Sequence, residues 1–158
     1  MKKLFVVVAV TLLSAVALAI TLFAGPRDGS PAVRDRFVGA WRLVSLEEPG
    51  ADGSIHKAEC TGLLVYTADG YMSVQVMYRN PQLSTNVAPV QYSQGGYEAS
   101  FGRYEIDDSR TFTFHVEGAL VRTLIGKDLK RLYEFSGNQL IVKSPDSNEH
   151  WRVAWERY

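Results

Sequence analysis

Cysteine is almost absent. Cys60 is the single one in 158 residues, so no internal disulfide can hold the fold together. Net charge is absent too, with 17 lysines and arginines against 17 aspartates and glutamates. This excludes a nucleic-acid partner or an anionic surface held by bulk electrostatics. The histidines, His56, His115 and His150, are far apart, and no HxH, HExxH or CxxC spacing brings two metal ligands onto one face. A glycine-rich phosphate loop, a serine nucleophile elbow and a paired-acid motif are also missing, so no metal or cofactor is implied. Beyond the N-terminal segment, no apolar repeat of 3.6 residues runs long enough for a packed helix.

What is present begins with Lys2 and Lys3, followed by an uncharged, largely apolar run from Leu4 to Gly25. A positive start before an apolar stretch is the pattern of an export signal, and Ala17-Leu18-Ala19 sets small side chains at a cleavage site after Ala19. At about 1.5 Å per residue the same run also spans a hydrocarbon core of about 30 Å, so an uncleaved membrane anchor fits equally. In both cases the positive-inside bias keeps the lysines cytoplasmic and places the chain from about Pro26 onward outside. Residues 1–25 are therefore expected to be a signal peptide or transmembrane anchor, 26–35 a linker and 36–158 one domain, exported and membrane-anchored or secreted. Without Lys2 and Lys3 the exported chain has a net charge of −2, from 15 basic and 17 acidic groups. The composition, 46% hydrophobic and 11% aromatic over the whole chain, suits one core, and the length is too short for two.

The domain reads as short alternating segments parted by turn residues. Strands are expected at 37–47, 62–67, 70–78, 101–107, 110–117, 128–135, 138–144 and 149–157. Ala68-Asp69-Gly70, Asp107-Asp108-Ser109 and Ser136-Gly137-Asn138 supply tight turns, which makes consecutive strands neighbours. Eight antiparallel strands in sequence order remove their exposed edges by closing into an up-and-down barrel, whose interior takes side chains or one small ligand. Cys60 reads as a small hydrophobe at a strand edge. Two connections are not tight. The stretch 79–100 is too long for a hairpin, with a short helix expected around 90–99, and 118–127 carries Leu120, Val121, Leu124 and Ile125 as a cover or gate at a barrel mouth.

Phe37-Val38-Gly39-Ala40-Trp41-Arg42-Leu43 resembles the glycine-any-tryptophan opening strand of lipocalins and fatty-acid-binding proteins. More closely, residues 36–158 resemble the bacterial lipocalin-like domain family. The resemblance rests on a strand at 62–66, then Thr67 to Ser73, Gly102 to Asp107, His115-Val116-Glu117-Gly118 and a terminal Trp155-Glu156-Arg157. It implies an all-β, calycin-type, eight-stranded barrel and no particular chemistry. Lipocalins pack a last-strand arginine across the first-strand tryptophan, a role open here to Arg152 or Arg157. Fatty-acid-binding proteins end in an inward arginine-any-tyrosine pair that holds a carboxylate. If Trp155 stands for that tyrosine, Val153 takes the arginine's place and Arg152 falls on the opposite face, so the clamp is missing and an uncharged apolar ligand is favoured.

Alternation puts Phe37, Gly39, Trp41 and Leu43 on one face of the first strand. There Gly39 permits close approach, Trp41 closes the barrel floor, and Arg152 and Arg157 are core supports. The expected function is binding of a small hydrophobic or amphipathic molecule, with Leu64, Tyr66, Met72, Val74, Tyr104, Phe114 and Trp155 lining the cavity. A second reading makes the protein an isomerase or cyclase. It requires His115 and Glu117 to point inward, with His115 as acid and base, oriented by Glu117 or Glu105, and Tyr66, Tyr71 or Tyr104 as hydroxyl donors. If Thr111, Thr113, His115 and Glu117 face out instead, they form a solvated face. A third reading is a barrel filled by its own side chains that acts through a protein partner.

Overall fold

The computed structural model describes residues 31–50, 52–79 and 96–158. Among these residues a short helix, α1 (Pro31–Phe37), precedes nine strands: β1 (Gly39–Pro49), β2 (Ile55–Lys57), β3 (Cys60–Tyr66), β4 (Tyr71–Tyr78), β5 (Tyr97–Ile106), β6 (Thr111–Ala119), β7 (Asp128–Ser136), β8 (Gln139–Lys143) and β9 (Arg152–Arg157). Their pairings are antiparallel. From β3 to β9 each strand bonds to the next, and β1 bonds to both β3 and β9, which closes an eight-stranded barrel. The ninth strand, β2, is a flap paired only with the end of β1 from Glu47 to Pro49, and the sequence pattern does not predict it.

The expected segments correspond to β1 and β3 to β9, with shifted ends that have local causes. Phe37 is not the first inward residue of a strand: it ends α1. Pro31 suits a first helical position because its fixed φ and missing N–H cost nothing there, and Val33 and Phe37, four apart, share the buried side of that turn. The end of the expected linker is thus helical. In β1 a bulge between Leu43 and Ser45 leaves Val44 without a partner, so the inward series switches parity and Leu46 is buried.

β5 starts at Tyr97, so the helix expected up to residue 99 is replaced by strand at 97–99; its earlier portion lies outside the described residues. Within 118–127, Gly118 and Ala119 continue β6, and a 3-10 turn (Arg122–Leu124) follows. The hydrophobic run 4–25 also lies outside the described residues, among which no helix is long and apolar enough to cross a membrane.

Phe37 plugs one end of the barrel. Fully buried, its ring meets Tyr133 at 4.9 Å, Phe135 at 5.0 Å, Tyr66 at 5.1 Å and Phe112 at 5.6 Å, all edge-on, the arrangement that sets a positive ring edge against a negative ring face. Trp41 stands beside this cluster, its indole N–H donating to the Phe37 carbonyl at 2.8 Å, so it secures the helix that carries the plug. The 118–127 connection, between β6 and β7, and the 144–151 turn, between β8 and β9, lie at the opposite end.

Candidate functional site

Strand alternation builds the wall above the floor. Leu64 and Tyr66 come from β3, Met72 and Val74 from β4, Phe112 and Phe114 from β6, Leu129 from β7, Val142 from β8, and Val153 and Trp155 from β9. Leu124 of the 3-10 turn and Trp151, just before β9, contribute to the upper region. Together with Glu98, Ser100 and Arg131 they line a partly open cavity of about 60 Å³. That is room for a handful of waters or a short apolar group, below the roughly 300–1,000 Å³ of a typical drug-sized site.

Four polar side chains face this apolar space. Glu98 is only 4% exposed, and its Oε2 has no hydrogen-bond partner among the described residues. Burial pushes its carboxyl up to about 8, against the opposing pull of the Arg131 guanidinium. The Tyr66 hydroxyl is likewise buried without a described partner, and its pKa is driven far up, first by burial and then by neighbouring Tyr104. Arg131 lies with its guanidinium 5.1 Å from the centre of the Trp151 ring and donates to the Lys130 carbonyl at 3.0 Å. Ser100 is buried beside Glu98 on the inward side of β5.

Of the residues expected to line a cavity, Leu64, Tyr66, Met72, Val74, Phe114 and Trp155 do so. Tyr104 does not. It packs edge-on against Tyr66 at 4.9 Å and donates its hydroxyl to the Thr67 carbonyl at 3.2 Å, within the floor.

The inward orientation that the enzyme reading requires of His115 and Glu117 is not found. Phe112, Phe114 and Val116 are the buried residues of β6, which turns the alternate positions outward. On the outer surface His115 Nδ1 lies 2.7 Å from Asp128 Oδ1 and Nε2 3.9 Å from Glu105, while Glu117 lies 4.0 Å from Arg103. A bulge beside Glu117 is accommodated by Gly102, where a Cβ would run into the His115 carbonyl oxygen.

The arginines separate as their parity dictates. Arg157 lies over the Trp41 ring at 4.4 Å and donates to the carbonyls of Val38 at 2.6 Å and Arg36 at 2.5 Å. Arg152 points out and meets Glu47 at 3.4 Å. Val153 and Trp155 face the cavity, and neither Arg152 nor Arg157 of β9 lines it. Cys60 begins β3, half-buried, its thiol 3.7 Å from the Ala58 carbonyl and pushed up to about 11 by burial.

Sequence reasoning missed Glu98, Ser100 and Arg131, although each had a signal. Running the period of two backward from Ile106 through Tyr104 and Gly102 reaches Ser100 and Glu98, and in β7 the series Leu129, Arg131, Tyr133, Phe135 sets an arginine on an otherwise apolar face. Assigning 79–100 to a loop hides the first pair.

Residues 38–158 match the family described as "Lipocalin-like domain". No curated protein matches the chain. Similar solved structures include a redesigned β-barrel, at 11% identity and a TM-score of 0.43, covering 79% of this chain and 94% of that one. Another is a mutant of the fluorescent protein UnaG, at 14% identity and a TM-score of 0.40, covering 78% and 97%.

Proposed function

Because the chain belongs to the lipocalin-like domain family, we propose that it binds a small hydrophobic or amphipathic molecule inside its barrel. The observation that carries this reading is an apolar cavity holding two buried polar atoms, Glu98 Oε2 and the Tyr66 hydroxyl, with no described partner. Leaving a buried polar group unpaired costs about 1–3 kcal/mol, which a bound molecule or ordered water offsets. The apolar walls supply affinity by removing hydrocarbon from water, while the few polar groups set orientation.

We place this binding outside the cytoplasm. The support is Lys2 and Lys3 ahead of the apolar run 4–25, as a cleaved signal or a retained anchor.

Native mass spectrometry of the gently purified full-length protein, compared with the same sample after denaturation, tests the reading. An apolar molecule released on unfolding, or a mass gain on adding small apolar metabolites, is the expected result. An unchanged apo mass across such a panel overturns it in favour of a filled barrel that works by contact with another protein.

A further inference from the structure

Glu98 carries the only buried carboxyl among the described residues, and it lines the cavity with its Oε2 unpartnered there. Its depth is set by register. The inward series of β5 runs Glu98, Ser100, Gly102, Tyr104, and Tyr104 lies in the aromatic floor. Six residues of strand at about 3.4 Å each put Glu98 about 20 Å further along β5, toward the end where the 118–127 connection lies. The wall around and below it is hydrocarbon: Val76 is opposite Glu98 in register, Val74 is opposite Ser100, and Leu64 is opposite Val74. An apolar chain resting on Leu64, Val74, Phe114 and Trp155 therefore has its polar end beside Glu98. Ser100, buried next to Glu98 on the same inward row, adds a hydroxyl.

The chemistry of Glu98 selects that polar end. Burial keeps its carboxyl protonated at neutral pH, so one oxygen donates and the other accepts. A hydroxyl does both, and so pairs with Oε2 whichever oxygen carries the proton. Charged groups match less well. A carboxylate only accepts, an ammonium gains a counter-ion only after Glu98 gives up its proton, and each must leave water for mostly apolar walls. Arg131 does not reverse this order. It is half-buried, donates to the Lys130 carbonyl and lies against the Trp151 ring, so its charge is already shared with these groups and with solvent.

Resting on the binding reading above, we propose that Glu98 and Ser100 form a hydroxyl-binding subsite: the ligand is a compact, uncharged aliphatic alcohol whose hydroxyl pairs with Glu98 Oε2. The Tyr66 hydroxyl, in the row of Met72 and Gly102, lies nearer the floor and is not part of the subsite.

NMR titration of the full-length protein at pH 6 with butan-1-ol, 1-chlorobutane, butylamine and butanoate tests the proposal. Butan-1-ol is expected to bind at least about tenfold more tightly than butylammonium or butanoate. The chloride has as many heavy atoms as the alcohol and no hydroxyl, so the ratio of their affinities isolates the hydrogen bond once it is compared between wild type and variant. Glu98→Leu is expected to lower the preference for the alcohol over the chloride at least about fivefold. Glu98→Gln, which keeps a donor and an acceptor, is expected to hold it within about twofold of wild type.

An unchanged preference in Glu98→Leu, or butylammonium or butanoate binding as tightly as the alcohol, overturns the subsite and leaves the binding reading standing. If thermal melting shows Glu98→Leu unfolded, the order of the probes on the wild type and the preference held by Glu98→Gln decide the matter. Failure of all four probes to bind the folded wild type counts against both.

Discussion

The Arg157 guanidinium lies 4.4 Å above the Trp41 ring, and its Nη1 occupies the space that a side chain on Gly39 would need, 2.7 Å from an ideal Cβ there. Gly39 also has φ +135°, a conformation that side chains disfavour. One arginine thus ties the first strand, the last strand and the carbonyls of Arg36 and Val38 at the end of α1 into a single closure. Arg157→Ala is expected to lower unfolding free energy by about 2–3 kcal/mol, from the lost cation–π contact and two charge-assisted hydrogen bonds. Gly39→Ala should cost at least as much, because clash and backbone strain add. Urea unfolding of both variants measures this, and a loss below about 0.5 kcal/mol for Arg157→Ala would remove the closure role.

Phe37 has no exposed surface and fills the end of the barrel against five aromatic rings. Phe37→Ala leaves a cavity that the rigid strands cannot collapse, so a destabilisation of about 3–5 kcal/mol is expected. Phe37→Leu should retain more than half of the lost stability. Equilibrium denaturation with both variants separates packing from any role of the helix itself.

Glu98 gives stability a pH dependence of defined sign. Its carboxyl is pushed up from an ordinary value of 4.5 to about 8 in the folded protein, so between those values the native state holds a proton that the unfolded chain has released. Its contribution to stability is complete below about pH 4.5 and declines as pH rises toward 8, by about 1.4 kcal/mol per unit and a few kcal/mol in all. Glu98→Gln removes the titration. The variant is therefore expected to gain on the wild type steadily from pH 5 to 8, and then to hold a constant advantage, in urea midpoints recorded across that range. Parallel pH profiles would show that Glu98 titrates normally.

The pairing of His115 with Asp128 is exposed, and an exposed pair contributes about 0–1 kcal/mol. His115→Ala is expected to leave binding of any lumen ligand unchanged and to lower the melting temperature by no more than a few degrees. A loss of ligand affinity above threefold, measured by titration, would return His115 to the site.

Cys60 reacts as a thiolate only when ionised, and burial holds its thiol near 11. Alkylation by iodoacetamide at pH 8 is expected to be at least about tenfold slower in the folded protein than in urea. Equal rates would contradict the half-buried position at the start of β3.

The barrel is legible in the sequence because its signals are local and repetitive. Period-two burial, turn residues at 68–70, 107–109 and 136–138, and the absence of a helical repeat each act over a few residues, and eight such hairpin-linked strands have few ways to hide their edges. Six lining residues follow from the same alternation. The sequence by itself thus determined the strand set, their neighbours and an apolar interior. The same alternation reaches the polar positions at 98 and 131, but sequence reasoning missed both, the first because a loop over 79–100 conceals it.

Other features depend on contacts between residues distant in the chain. The bulge at Val44 switches the parity of β1, Phe37 leaves the strand to become a plug, Arg157 rather than Arg152 takes the indole, and Tyr104 sinks into the floor while Tyr66 faces the cavity. Which face of β6 is inside, and hence that His115 stands in solvent, follows from the register of β5 against β6. A shift of one residue in that register would exchange every side chain between lumen and surface, and only the closed barrel, through the packing of Phe112 against Phe37 and Tyr66, selects between the two.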